Sequence, residues 1–274
     1  MNVKRFIPAP PAFPAGSTSI VPGRCADPGL LQDFSVVRLE AGERMDSRDS
    51  RERVWLLVAG RVRFRWEGGD AQATRGSLFD ENPSVLHADA GAYVTIEAET
   101  EAEITIHATG NSNRFPTRFI LPGECRSELR GQGTVGETAT RIVRTILDDD
   151  TAPHSNFVLG EVVTLPGRWS SFPPHYHRQP EIYHYRFLPS NGFGFAAAGD
   201  EAHVVRSGDT LLIRDGETHP QAAAPGYAMW YLWIIRHLEG DRYRTPVFAL
   251  EHAWTMQKDA SPWAPEQMRN GRMK

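Results

Sequence analysis

Hydrophobic residues in this 274-residue chain occur in short runs rich in β-branched and aromatic side chains, and long amphipathic helical patterns are scarce. Glycine, proline, asparagine and aspartate separate the runs, as turns separate strands. The runs predict strands at Ser35–Leu39, Val54–Leu57, Val62–Trp66, Tyr93–Ala98, Ala102–His107, Arg141–Leu147, Phe157–Thr164, Ile182–Phe187, Gly192–Phe195, His203–Val205, Thr210–Ile213 and Ala228–Ile235. Many strands of this length predict an all-β fold, built as a sandwich or a closed barrel.

A weak internal duplication divides the predicted strands into two sets. Gly76 to Ser84 leads to His87, and Gly208 to Gly216 leads to His219, so each histidine follows a glycine by eleven residues. A strand-like run and a turn lie between the glycine and the histidine in both cases. Repetition on this scale predicts two similar barrels.

The predicted division between the barrels falls near residue 150. We assign residues 1–150 to the first barrel, with a proline-rich N-terminal arm (residues 1–30) expected to extend over the surface and a connecting segment (residues 114–150). Residues 151–274 are assigned to the second barrel. Their polar last part, residues 258–274, is expected to be mobile.

Composition excludes several classes of function. The net charge is −4 and no block of Lys and Arg occurs, which disfavours nucleic-acid binding because phosphate neutralisation requires clustered basic residues. No apolar stretch approaches the ~20 residues of a membrane span, and the start lacks a signal-peptide pattern. Only two cysteines occur, Cys25 and Cys125, far apart. We therefore expect a cytoplasmic protein without a disulfide scaffold, a membrane contact or a nucleic-acid partner.

The candidate chemistry lies in the second half. His175 and His177 are spaced to share one face of a strand, Glu181 follows four residues later, and His219 comes 38 residues after that. Three imidazoles and one carboxylate suit a divalent transition metal. We predict a metal site formed by these four residues that holds zinc, manganese or iron, with zinc slightly favoured.

Two motifs in this region resemble those of the cupin barrel. The first is His175-x-His177-x₃-Glu181 between Gly167 and Gly192, and the second runs from Gly208 through Gly216 to His219, with Arg214 where the motif has proline. The resemblance implies a bicupin of two jelly-roll (double-stranded β-helix) barrels, of which the C-terminal copy binds metal. In the first half, residues 45–53 hold no His-x-His pair. That barrel is therefore predicted to be a metal-free, degenerate cupin, and His87 a packed or capping histidine.

Longer stretches resemble one enzyme family. Trp169 to His177, Glu181 to Phe187, Pro189 to Phe195, and His219 to Tyr227 look like 5-deoxy-glucuronate isomerase, the bicupin enzyme of inositol catabolism. In the first half, the matching residues are Ser77-Leu-Phe-Asp80 with Pro83 and the segment Gly133 to Leu147, which carries Arg141 and Arg144. The chain is similar, more distantly, to the 5-keto-4-deoxyuronate isomerases of pectin breakdown.

The resemblance implies a metal-dependent aldose–ketose isomerase that converts 5-deoxy-glucuronate to 5-dehydro-2-deoxy-gluconate by moving a proton from C2 to C1. A metal with an open position would polarise the carbonyl and stabilise an enediolate. Motif spacing does not identify the base, for which Tyr183, Tyr185 and Glu251 are the candidates. An arginine is expected to bind the carboxylate of the sugar acid, because its fork of N–H groups matches that group.

The chain departs from the family pattern at two places. Only Arg178-Gln-Pro180 separates the second histidine from the glutamate, where relatives carry a longer acidic insert, and Ala196-Ala197 stand where a Gln-Arg pair is common. Two other functions stay open: a cupin oxygenase that uses iron or manganese, and a non-catalytic module that binds a sugar acid. Association into a homo-oligomer is a further expectation.

Overall fold

A computed structural model of the chain describes residues 5–22, 29–257 and 260–266. The strands are β1 (Phe6–Ile7), β2 (Gly16–Val21), β3 (Gln32–Leu39), β4 (Arg44–Arg48), β5 (Glu52–Trp66), β6 (Gly69–Arg75), β7 (Val85–Ala88), β8 (Tyr93–Ala98), β9 (Ala102–Thr109), β10 (Arg118–Ile120), β11 (Arg126–Arg130), β12 (Arg141–Leu147), β13 (Phe157–Thr164), β14 (Trp169–Ser170), β15 (His175–Tyr176), β16 (Glu181–Leu188), β17 (Phe193–Ala198), β18 (Glu201–Arg206), β19 (Thr210–Ile213), β20 (Gln221–Ala223), β21 (Ala228–Arg236) and β22 (Val247–Phe248). Short 3₁₀ helices cover Pro122–Glu124, Val135–Glu137 and Leu250–Met256. The predicted all-β fold is confirmed.

The strands form two β-barrels. A nine-stranded sheet contains β2 to β10, and its central strands run in the order β7-β5-β9-β3. The second barrel has a seven-stranded sheet in the order β1-β19-β16-β21-β13-β12-β11, a four-stranded sheet in the order β14-β20-β17-β18, and the pair β15-β22. The pairs in both barrels are antiparallel, as chains joined by short turns require.

Strand β5 forms a corner of the first barrel. The sequence predicted two strands here, Val54–Leu57 and Val62–Trp66, and the structure shows one strand of 15 residues that pairs with β7 and β9 in its first part and with β6 and β8 in its second. Its register shifts between Leu57 and Ala59, and Gly60 follows with a φ of +96°. A bulge next to a glycine lets one strand bend from one layer into the other, which explains the continuity.

Three apolar clusters hold the molecule together, one inside each barrel and one between them. Strand β21 contributes to two of these clusters, because its run of apolar residues is buried on both faces. Met229 and Tyr231 point into the second barrel, whereas Trp230 and Leu232 join the cluster shared with the first barrel. Continuous hydrophobic strands therefore mark the surface where the two barrels meet.

A buried ion-pair group also joins the barrels. Arg75 of β6 contacts Glu161 of β13 through two hydrogen bonds of 2.6 and 2.7 Å, and both side chains are fully buried. Arg144 of β12 lies 3.2 Å from the same carboxylate and donates to the carbonyl oxygen atoms of Leu78 and Phe79. Arg75 belongs to the first barrel, whereas Glu161 and Arg144 belong to the second, so the group fixes the relative position of the barrels.

The N-terminal arm crosses from one barrel to the other. Strand β2 pairs with β3 of the first sheet, whereas β1 pairs with β19 of the second, with Phe6 opposite Leu211. The arm is therefore in part a strand of each barrel. Cys25 and most of the predicted tail, residues 258–259 and 267–274, lie outside the described residues.

The predicted connecting segment, residues 114–150, contains two strands of the second barrel. Strand β11 pairs with β12, and β12 pairs with β13. The division of the chain near residue 150 stays a prediction. Within the described part of the chain, no helix is both long and apolar enough to cross a membrane.

Candidate metal centre

Glu181 begins the central strand β16 of the second barrel. It stands opposite Ile213 of β19 and Ile235 of β21, and only 2% of its surface is exposed. Because side chains alternate along a strand, Tyr183 and Tyr185 share its face and lie in the apolar cluster inside this barrel. The sheet thus holds one carboxylate rigidly inside the barrel.

His219 follows the turn that ends β19. The Glu217 side chain accepts a hydrogen bond from the backbone N–H of Arg214 at 3.0 Å, and Gly216 in this turn has a φ of +75°. The main-chain oxygen of Glu217 lies 2.9 Å from Nδ1 of His219. The turn therefore orients the imidazole ring, which is 1% exposed.

His177 lies just beyond β15, which ends at Tyr176. Its Nδ1 atom lies 2.8 Å from the carbonyl oxygen of Gln179, and its own carbonyl accepts the N–H of Gly216. The ring of Tyr243 packs edge-on against the imidazole, with 5.0 Å between ring centroids. A short loop and an aromatic neighbour thus fix this side chain as well.

The hydrogen bonds determine the tautomer of the histidines. A carbonyl oxygen only accepts, so Nδ1 carries the proton in His177 and His219, as it does in His175, whose Nδ1 lies 3.0 Å from the oxygen of Pro173. In each neutral ring, Nε2 then offers a lone pair. This is the arrangement of metal-binding histidines whose other nitrogen is held by a main-chain oxygen.

Two of these Nε2 atoms converge with a carboxylate oxygen of Glu181. Nε2 of His177 lies 3.2 Å and Nε2 of His219 lies 3.4 Å from Oε2 of Glu181, and the three ligand atoms lie within 4.8 Å of one another. Nε2 of His219 is buried and has no hydrogen-bond partner among the residues that the structure describes. Two lone pairs beside a carboxylate repel one another unless a cation lies between them, so the residues fit a divalent metal.

His175, the fourth predicted ligand, lies next to this group. It is half-buried on β15, opposite Phe248 of β22, and its ring meets that of His219 edge-on at 4.8 Å between centroids. Its ligand atom does not belong to the converging set. The role of His175 as a ligand stays a prediction.

Burial keeps His175 and His219 neutral. Desolvation lowers the pKa of His219 to about 3, although the nearby Glu181 carboxylate acts in the opposite direction, and lowers the pKa of His175 to about 4. A histidine must be neutral to bind a metal ion. These rings are therefore ready to act as ligands at neutral pH.

The centre opens onto a cavity of about 290 Å³, close to the lower end of the size range of small-molecule sites. The histidines and Glu181 form one part of the lining. The remaining lining includes a set of aromatic residues, Tyr183, Tyr231, Trp233, Tyr243 and Phe248, and four arginines, Arg126, Arg130, Arg141 and Arg244.

The three candidates for the base have different positions. Tyr183 lines the cavity, and its hydroxyl lies 2.9 Å from Oγ of Ser171, another lining residue. Tyr185 is buried deeper and donates to Gln221 at 2.7 Å. Glu251 is exposed on the helix Leu250–Met256, outside the residues that line the cavity. Burial raises the pKa of both tyrosines well above 10, so each keeps its proton at neutral pH.

Sequence reasoning missed several residues of the cavity. Tyr231 was assigned to a core strand, and the structure places it in that strand with its hydroxyl 3.2 Å from Oγ of Ser171. Arg126 and Arg130 lie on β11, whose alternating charged residues gave no hydrophobic signal. That alternation is itself typical of a strand with a polar face, and it is the signal that could have located them.

The corresponding histidine of the first barrel has a different environment. His87 is buried, and its Nε2 lies 2.7 Å from Oε1 of Glu52. The Glu52 carboxylate also accepts hydrogen bonds from Asn111, Ser155 and the N–H of Asn156. His87 therefore has the packed position predicted for it. The expectation that this barrel is free of metal stays a prediction.

Two barrels of this topology, with a buried histidine–glutamate centre in the second, define a bicupin protein. Residues 19–255 match the model of the KduI/IolB family, and the chain belongs to that family. The family and fold predicted from the sequence are thereby confirmed.

Individual relatives agree with this assignment. A 5-deoxy-glucuronate isomerase of Geobacillus kaustophilus (strain HTA426) is 30% identical over 225 residues, which are 74% of this chain and 78% of that protein. The crystal structure of an IolB-like protein from Salmonella typhimurium LT2 superposes with a TM-score of 0.83 at 25% identity, and the match covers 93% of this chain and all of that one. The chain is thus similar to these proteins over most of its length.

A more distant structure shares the fold alone. The oxalate decarboxylase of Lactobacillus farciminis, in its formate complex, superposes with a TM-score of 0.67 at 10% identity. The match covers 98% of this chain and 93% of that one. Its chemistry is not carried over, because one fold supports many reactions.

Proposed function

We propose that this protein is a metal-dependent isomerase that interconverts the aldose and ketose forms of a deoxyuronic acid, most directly 5-deoxy-glucuronate and 5-dehydro-2-deoxy-gluconate. The observation that carries the proposal is the convergence of His177, Glu181 and His219 on a cavity lined by arginines. The relatives named 5-deoxy-glucuronate isomerase support the choice of substrate.

The reaction needs no external oxidant or reductant. A proton leaves C2 and a proton is added at C1, while a hydroxyl proton moves between the two oxygen atoms, so the atoms and electrons of sugar acid and product balance. The protein must therefore supply a site that removes and returns protons and that stabilises negative charge on oxygen.

His177, Glu181 and His219 would hold the divalent ion, with His175 as the proposed fourth ligand. The ion would supply positive charge that polarises the carbonyl group and lowers the energy of the developing oxyanion. Zinc, manganese and iron all suit this donor set, and zinc is our first choice.

Tyr183 is the proposed acid–base candidate with the best position. Its hydroxyl is the one among the three candidates that lies at the cavity, where it exchanges a hydrogen bond with Ser171. A hydroxyl held in this way can donate to a substrate oxygen and pass its proton through the serine. Tyr185 would support the cavity wall through its bond to Gln221.

The test combines metal analysis with one assay. Purified protein would be analysed by elemental mass spectrometry, incubated with 5-deoxy-glucuronate in D₂O, and followed by NMR. The proposal predicts about one metal ion per chain, formation of the ketose, and loss of both in protein treated with a chelator. Deuterium in the product would show that the proton exchanges with solvent.

Two results would contradict the proposal. Unchanged 5-deoxy-glucuronate in the presence of a full complement of metal would exclude this substrate. Consumption of dioxygen would instead identify the oxygenase predicted as an alternative. Tyr183→Phe provides a further check: its rate should fall by about 100-fold with unchanged metal content, because it removes only the hydroxyl.

A further inference from the structure

One wall of the cavity consists of the two strands β11 and β12. Arg126 and Arg130 lie on the first strand, Arg141 lies on the second, and Arg130 stands directly opposite Arg141 in the antiparallel pair. Like charges directly opposite each other repel. A cavity wall that places two guanidinium groups together is suited to an anion.

Three of the four cavity arginines already have a carboxylate partner. Arg126 lies 2.8 Å from Asp148, Arg130 lies 2.5 Å from Glu128, and Arg244 lies 2.9 Å from Asp149. The positive charge of each is therefore balanced within the protein. These three guanidinium groups are also half or more exposed, which weakens any interaction that they make with a ligand.

Arg141 differs in its partners and in its burial. Its terminal nitrogen atoms donate to the carbonyl oxygen atoms of Ala139 and Phe172 at 2.8 and 3.0 Å. No carboxylate of the described residues forms an ion pair with it. Burial lowers its pKa, as expected for a cation that has lost water without gaining an anion.

The two carbonyl groups hold the Arg141 side chain beside the metal centre. Phe172 belongs to the loop between β14 and β15, and the next residue, Pro173, provides the oxygen that orients His175. One loop therefore positions both the arginine and a histidine of the centre. Of the five N–H groups of the guanidinium, these bonds use two, which leaves others for a ligand.

We propose that Arg141 binds the carboxylate of the sugar acid and so sets the orientation in which its carbonyl end meets the metal centre. This inference rests on the proposed function and deepens it. The guanidinium fork matches a carboxylate in geometry and in charge. A neutral sugar of the same length offers this arginine only an uncharged hydroxyl group, so selectivity for acids is the expected consequence.

The test compares a matched pair of sugars, 5-deoxy-glucuronate and 5-deoxy-glucose, which differ only in the carboxylate. Binding to the metal-loaded protein would be measured by titration calorimetry. Arg141→Gln should weaken binding of the acid by about 10- to 100-fold and leave binding of the neutral sugar unchanged, because one charge-assisted contact is lost. Arg141→Lys should be intermediate, since it keeps the charge without the fork.

Two controls separate binding from structure. Arg206→Gln, at an exposed arginine of β18 outside the cavity, should bind both sugars as the wild type does. The metal content of Arg141→Gln should equal that of the wild type. A parallel loss of metal would show that Arg141 only supports the loop of His175, and it would overturn the proposal.

The binding data and the NMR assay of conversion together distinguish this proposal from the proposed function. Wild-type protein that binds the acid without converting it would contradict the proposed isomerase function. A loss of acid binding in Arg141→Gln would still establish Arg141 as the carboxylate-binding residue. Equal affinity of wild type and Arg141→Gln for the acid would overturn the site even where the isomerase activity is present. Wild-type protein that binds the acid no better than the neutral sugar would overturn it as well.

Discussion

Main-chain oxygen atoms determine the chemistry of the histidines in the second barrel. Each Nδ1 is held by a carbonyl two residues away, so Nε2 of His177 and of His219 must face Glu181 as an acceptor. In the first barrel, by contrast, it is Nε2 of His87 that is held, by the side chain of Glu52. The two barrels thus use histidines at matching sequence positions for different purposes.

A pair of substitutions tests this difference. His177→Ala should weaken metal binding by more than about 100-fold, because it removes a ligand and not merely an outer contact. His87→Gln, which keeps a group able to bond Glu52, should retain the wild-type metal content. Elemental mass spectrometry after dialysis measures both. A wild-type metal content in His177→Ala would contradict the assignment of this ligand.

His107 is one of several buried histidines that make the stability of the protein depend on pH. His107 of β9 stacks on Phe34 at 4.7 Å between ring centroids, and neither ring nitrogen has a hydrogen-bond partner in the described part of the chain. Burial lowers its pKa from 6.5 to about 3. Between these values the unfolded chain binds more protons at this residue than the folded chain does. The free energy of unfolding therefore falls as the pH falls below 6.5.

The substitution His107→Phe removes this contribution and leaves the stacking intact. Between pH 7 and pH 5 the wild type should lose about 2 kcal/mol more stability than the variant does. Urea unfolding at the two pH values measures the difference. The exposed His252 provides the control: His252→Phe should keep the wild-type dependence on pH. An unchanged loss in His107→Phe would show that this ring is not the group that titrates.

Whether a strand could be predicted from the sequence depended on how apolar its residues are. Tyr93–Ala98, Arg141–Leu147, Phe157–Thr164 and Thr210–Ile213 were predicted with the bounds that the structure shows. Strands such as β4 (Arg44–Arg48) and β11 (Arg126–Arg130) were missed, because their residues are mostly polar and partly or fully exposed. Such strands exist through pairing with a neighbour, which no local pattern records.

The candidate site, like the strands, could be predicted only where the local sequence carries a pattern. Glu181 and His219 carry motif spacing, so the sequence singled out residues that converge in the candidate metal centre. The arginines of the cavity wall come from strands and loops far apart in the chain, and Arg141 and Arg244 meet there only after the barrel has closed. Long-range packing, and not local sequence, selects which of many arginines line the cavity.

The bend of β5 offers a prediction at the same scale. Gly60 and Gly68 have φ angles of +96° and +90°. A Cβ atom at Gly60 would lie 2.3 Å from the carbonyl oxygen of Glu101, whereas a Cβ atom at Gly68 would meet no atom within 4 Å. Gly68→Ala should cost about 1 to 2 kcal/mol of stability from backbone strain alone. Gly60→Ala should cost at least about 3 kcal/mol, since the clash is added.

Thermal or urea unfolding of the two glycine variants measures these costs. The comparison isolates the close approach of the chain to Glu101, because the φ angles of the two glycines are nearly the same. Equal destabilisation by both substitutions would mean that the strand relaxes at its bulge. The register shift beside Leu57 would then be a flexible feature of the corner.

At the scale of the whole molecule, the buried group of Arg75, Glu161 and Arg144 joins the barrels. Glu161→Gln would leave two buried guanidinium groups without a carboxylate, which should cost about 3 to 5 kcal/mol. Glu97→Gln breaks an ion pair with Arg65 that is largely exposed, so its cost should stay below about 1 kcal/mol.

Urea unfolding followed by tryptophan fluorescence compares these two variants. The buried pair spans both barrels, so its loss should weaken the whole molecule and not one barrel alone. A cost for Glu161→Gln as small as that for Glu97→Gln would indicate that the two arginines move to solvent. The barrels would then depend on their shared apolar cluster alone for their relative position.

The pairing of β1 with β19 has a consequence for the order in which the chain assembles. Phe6 is synthesised more than two hundred residues before its partner Leu211. The strands of the first barrel can pair with one another as they leave the ribosome, while β1 must wait for β19 of the second barrel. Strand β1 is therefore synthesised before the first barrel but reaches its native position after it.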